Sequence, residues 1–135
     1  MEYEGYISTV VKQIPPSGIR KYFDLLDETH ISLGVGEPDF ATPERIRQAA
    51  LKKLSTGRIA YTSNSGDPYL RELILRYLDE RFGIRGYEGI DDVLITVGAS
   101  QAIDLAMRAI VNPGDEIIIH EPSYVSYIPA VNLAG

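Results

Sequence analysis

Cysteine is absent from these 135 residues, which excludes a disulfide framework, a thiolate metal site and a cysteine nucleophile. Histidine is scarce. His30 and His120 stand far apart without a cluster of partner residues, so neither is expected to hold a metal or carry catalysis. No apolar run approaches the roughly 18 to 20 residues needed to cross a bilayer. Met1-Glu2-Tyr3-Glu4-Gly5-Tyr6 leads into no apolar stretch with a small-residue cleavage site, so a secretory leader is not expected and the cytoplasm is the expected location. Positive charge is the minority sign. Thirteen Lys and Arg against nineteen Asp and Glu give a formal charge of -6, which opposes attraction to nucleic acid or anionic lipid. Lysine itself stops at Lys53.

What is present fits a globular chain with one modest core: 44% hydrophobic and 24% charged residues. Ile14-Pro15-Pro16-Ser17-Gly18 breaks regular structure, and Ile19 to Leu26 then reads as a short helix. Ile31 to Val35 is a short extended run ending in the loop Gly36-Glu37-Pro38-Asp39. Thr42-Pro43 reads as a capping hydroxyl followed by proline at the first helical position, with Ile46, Ala49, Ala50 and Leu54 at helical spacing and a stop near Gly57. Asp67-Pro68 repeats that start. Leu70, Leu73, Ile74, Tyr77, Leu78 and Phe82 form its apolar stripe, and Gly83 ends it. Arg71, Arg76, Arg81 and Arg85 recur along the same stretch among Glu72, Asp79 and Glu80, which reads as a solvated face.

Val93-Leu94-Ile95-Thr96-Val97 reads as a strand buried on both faces, followed by a helix capped by Ser100 with Ile103, Met107 and Ile110 on its apolar side. Asn112-Pro113-Gly114-Asp115 turns the chain into a second strand, Glu116-Ile117-Ile118-Ile119, and a helical stretch follows from Ser123. The pattern is a βαβ unit with parallel strands, hence an α/β fold. At Gly98-Ala99-Ser100-Gln101 a strand gives way to a helix whose first amides lack intrahelical partners, a place where a phosphate fits. A turn and cap alone would use the same residues, so spacing by itself leaves both readings open.

In order along the chain, SLGVGEPDFATP, IAYTSNSGDPYLRELI, VLITVGASQAIDLAMRAIVNPGDEIII and HEPSYVSYIPAV resemble the N-terminal third of class I and II aminotransferases. These are fold type I enzymes that use pyridoxal 5'-phosphate, and the resemblance runs from about Pro16 to Gly135. The IPPSGIRKYFDLL and GVGEPDF segments look most like the branch containing aspartate, aromatic and N-acetyl-diaminopimelate aminotransferases. The resemblance implies an aspartate-aminotransferase-like fold, with residues 1–42 as arm and substrate loop and residues 43–135 as the beginning of the large cofactor domain with its mainly parallel sheet. It also implies a homodimer that transfers an amino group from an amino acid to a 2-oxo acid.

Carried over position by position, the resemblance places the cofactor phosphate at Gly98, Ala99 and Ser100, and the pyridine ring against Tyr124. Tyr61 would reach the phosphate of the neighbouring subunit, and the Gly36 backbone would lie near the substrate carboxylate. Tyr127 reads as packing. The family's lysine has no counterpart at Lys12, Lys21, Lys52 or Lys53, so no catalytic residue is assigned and the chain reads as a fragment inactive alone. A lyase of the same fold and a noncatalytic ligand- or partner-binding fragment stay open as alternatives.

Overall fold

Local signals decide the helices seen in the computed structural model, which describes residues 4–19, 22, 25, 27, 29–31, 33, 36 and 38–135. After a 3₁₀ turn at Glu4–Tyr6, helix α1 spans Thr9–Gln13, its first turn closed by the Ser8 hydroxyl accepting from the Val11 amide. Helix α2 spans Glu44–Ser55 and α3 spans Pro68–Phe82. Helix α4 runs Gly98–Ile110 and α5 runs Tyr127–Ala134. The helix expected at Ile19 to Leu26 and the extended run expected at Ile31 to Val35 fall largely outside the described residues.

The chain divides into two units. One comprises Met1–Gly34 with Thr96–Gly135, and the other Val35–Ile95. In the first, α5 packs along α4 and touches α1. Ala130 of α5 and Val111, just past α4, are its buried apolar residues, with Ile103, Met107 and Tyr127 half-buried around them. The Arg108 guanidinium holds α4 to the end of α5 by donating to the Leu133 carbonyl at 3.1 Å, and it donates within α4 to the Asp104 carboxylate at 2.9 Å.

In the second unit α3 is the organising element. The Asp67 carboxylate accepts from the Leu70 amide at 3.0 Å, Pro68 occupies the first turn, and Gly83 ends the helix at φ 65°. That left-handed C-cap needs a residue without a Cβ. Leu73, Ile74 and Leu78 of the expected stripe are half-buried, while Tyr77 and Phe82 meet edge to face at 5.6 Å.

One expectation, the parallel sheet, stays an expectation, and two others are corrected. Among the described residues there is no strand: residues 93–96 and 115–120 carry no ladder, although Val93 is extended at φ -117° and ψ 124°. A β-favouring run becomes a strand only when a second backbone satisfies its amides and carbonyls. Thr42 does not cap α2; Pro43 is the boundary residue and no side chain caps it. Arg71 does not belong to a solvated face. It is 5% exposed and donates from Nη1 to the Ile90 carbonyl at 2.9 Å, because the 3₁₀ turn Ile90–Asp92 packs on α3 and covers it.

Candidate functional site

Helix α4 begins at Gly98, whose φ of 80° is one that L side chains rarely adopt and around which a Cβ would meet only open space. No side chain caps this helix. Ser100 was expected as the cap, but it lies inside the first turn. The Gln101 carboxamide instead accepts from the Val97 amide at 2.5 Å, and the Thr96 hydroxyl donates to the Gly98 carbonyl at 2.9 Å. The Ser100 hydroxyl is thereby free of capping duty and lies 3.3 Å from the phenol oxygen of Tyr124.

Tyr124 is half exposed and meets Tyr127 edge to face at 5.8 Å. The Ser100 hydroxyl, with a further contribution from Ser126, holds the Tyr124 phenol below the usual tyrosine range, since a hydroxyl donating to the phenol oxygen favours the phenolate. Beside Tyr124 lies a cleft of about 670 Å³, walled by Ile14, Pro15, Pro16, Ser17 and Gly18 on one side and by Val125, Ile128 and Pro129 on the other. The structure therefore brings Ser100 and Tyr124 together across 24 residues of sequence, and it places Gly98 and Ala99 in the same helical turn as Ser100.

Gly36 and Tyr61 belong to the second unit. Gly36 is exposed with open space around it, and Tyr61 projects fully into solvent from an irregular loop. His30 Nδ1 lies 2.7 Å from the Asp27 carboxylate and His120 is exposed, and among the described residues no group of three His, Cys, Asp or Glu could hold a metal ion. No described helix is long and apolar enough to cross a membrane.

Spacing does not set Arg71 apart from the other arginines of α3. Its signal was faint, a single cation on the side of α3 that carries Leu78 and Ile74, next to Leu70 in sequence.

The sequence profile of class I and II aminotransferases matches residues 28–135. The chain belongs to this family. Bacillus subtilis YugH, which carries the name of an aminotransferase, is 54% identical over 133 residues, covering 97% of this chain and 34% of that protein. The aspartate aminotransferase of Pyrococcus horikoshii is 40% identical over 131 residues, covering 96% and 33%. Among solved structures, an aspartate aminotransferase mutant from Thermus thermophilus superimposes with a TM-score of 0.78 at 33% identity, covering 96% of this chain and 31% of that one. The Rhizobium meliloti aspartate aminotransferase gives a TM-score of 0.81 at 34% identity, covering 95% and 33%. The chain thus spans about a third of the length of the relatives it matches.

Proposed function

We propose that the protein carrying this chain is a pyridoxal 5'-phosphate-dependent aminotransferase, moving an amino group from an amino acid to a 2-oxo acid as a cytoplasmic homodimer in amino acid metabolism. The observation that carries the reading is the N-terminus of α4, which no side chain caps and beside which the Ser100 hydroxyl faces Tyr124. These residues fit the cofactor. A phosphate needs amide donors, a helix dipole and close backbone approach, and Gly98, Ala99 and Ser100 supply all three. The Tyr124 ring offers a flat π face for the pyridine.

When bound, the cofactor supplies an electron sink for the reacting carbon of the amino acid. The role of this chain is to hold it. The Gly98, Ala99 and Ser100 turn anchors the phosphate, Tyr124 orients the ring, and Tyr61 contributes its phenol to the phosphate in the neighbouring subunit. The Gly36 backbone admits the substrate carboxylate. Residues 1–42 then serve as arm and substrate loop, and residues 43–135 open the large domain.

Aspartate is the first amino donor to test because relatives named aspartate aminotransferases recur, and an aromatic amino acid is the second because the Thermococcus litoralis relative named aromatic-amino-acid aminotransferase 2 is equally close at 40% identity. The full-length gene product, loaded with pyridoxal 5'-phosphate, should retain the cofactor's absorption through gel filtration and transfer an amino group to 2-oxoglutarate. A product that neither retains cofactor nor transfers would overturn the reading. Release of ammonia or sulfide without transfer would assign it to the lyases of this fold.

A further inference from the structure

The loop that carries Tyr61 is closed on itself just past that residue. The Gly66 amide donates to the Ser63 carbonyl at 2.9 Å, the Ser63 hydroxyl donates to the Gly66 carbonyl at 3.1 Å, and the Ser65 amide donates to the Ser63 hydroxyl at 3.2 Å. This closed turn does not float. The Ile95 amide donates to the Ser65 carbonyl at 3.0 Å, and the Ile95 side chain lies against Gly66.

Two properties of Gly66 make that contact possible. Its φ is 99°, in the left-handed region, and a Cβ there would sit 2.6 Å from the Cβ of Ile95. Any side chain at position 66 must push Ile95 or the turn away. The Ile95 end is in turn held at its start, where Arg71 binds the Ile90 carbonyl. The stretch Ile90 to Ile95 is therefore pinned to α3 and the Ser63–Gly66 turn at two points, and Tyr61 leaves from the edge of the pinned turn.

The geometry points to Gly66 as a positioning residue for Tyr61: its close contact with Ile95 fixes the turn from which the tyrosine projects and so sets the phenol's aim at the cofactor phosphate. The inference rests on the proposed role of Tyr61, and Gly66 touches neither cofactor nor substrate. A fully exposed tyrosine needs such a device, since none of the described residues packs on its ring to orient it.

The test uses the full-length protein and two probes, pyridoxal 5'-phosphate and phosphate-free pyridoxal, whose dissociation constants are measured by absorbance titration. Tyr61→Phe should weaken the phosphate form by about tenfold, the loss of one hydrogen bond to a charged group, and leave pyridoxal unchanged. Gly66→Ala should do the same, and the double variant should be no weaker than either single one. A merely structural glycine would weaken both probes or add to Tyr61→Phe, and either result overturns the inference.

Should Gly66→Ala fail to fold, Ile95→Ala removes the other half of the contact without the backbone strain. Its loss of phosphate preference, masked by Tyr61→Phe, supports the positioning role, and an intact preference overturns it. If Tyr61→Phe alone leaves both affinities unchanged, the role of Tyr61 falls and the inference with it. An effect of Tyr61→Phe to which Gly66→Ala adds independently removes only the inference.

Discussion

The N-termini of α3 and α4 are built in opposite ways. Helix α3 supplies its own anion, the Asp67 carboxylate on the Leu70 amide, and follows it with proline. Helix α4 begins with a small, positive-φ glycine and has no capping side chain, and the Ser100 hydroxyl of its first turn faces a tyrosine 24 residues on. Both ends carry the same dipole, and in both the first-turn amides lack intrahelical partners. Where the chain provides the acceptor, the terminus is structural. Where it withholds one and keeps the approach open, the terminus can take an anion from outside.

The largest expected effect tests how firmly the α3 side is closed. Arg71→Ala in the full-length protein should lower the unfolding free energy by about 3 kcal/mol, because it strips the part-buried Ile90 carbonyl of its donor and leaves a void where the buried Arg71 side chain was. The urea midpoint reports it, and a midpoint unmoved would show that Ile90–Asp92 is held by something else.

Ser100→Ala addresses the open end. It should weaken pyridoxal 5'-phosphate binding by about 1 to 3 kcal/mol with little change in the urea midpoint. Equal cofactor affinity in both proteins removes Ser100 from the site. Asp67→Ala is the mirror experiment, costing about 1 kcal/mol of stability through the lost cap while cofactor affinity stays constant. Were Asp67→Ala to loosen the cofactor, or Ser100→Ala to lower stability by as much as Asp67→Ala does, the distinction between the two termini would collapse.

The smallest effect concerns the turn after α4, which is closed in the manner of α3. The Asp115 carboxylate accepts from the Asn112 amide at 2.8 Å and from its side-chain amide at 3.2 Å, and these bonds hold its pKa below the ordinary carboxylate range. A depressed folded pKa means that the contribution is fully present above the unfolded value, about 3.9, and is lost as pH falls through the folded one. An NMR titration should place Asp115 below that value, and Asn112→Ala should move it back partway.

Legibility in the sequence followed the range of the interactions. Helix α3 was readable from end to end because Asp67, Pro68 and Gly83 act on their own neighbours. The turn at Asn112–Asp115 was readable for the same reason. The strands were expected from composition and are not formed among the described residues, since pairing is decided by a second backbone. Arg71 was grouped with Arg76, Arg81 and Arg85 by spacing, yet its partner is a carbonyl 19 residues away that no periodicity announces. Ser100 was expected to cap α4, but the helix starts two residues earlier and Gln101 binds back to Val97. The pairing of Ser100 with Tyr124 was not legible from spacing either, although each residue had been singled out by resemblance to the family.

Val111 and Ala130 are the buried apolar residues described, while Ile118, Leu33, Phe40 and Val97 are about nine-tenths exposed or more. During translation this matters in time rather than in space. A ribosome adds about 5 to 20 residues per second. Any polypeptide that carries this stretch would keep these side chains on display until the surfaces that cover them have been made. Chaperones that clasp apolar segments would meet the stretch in that interval.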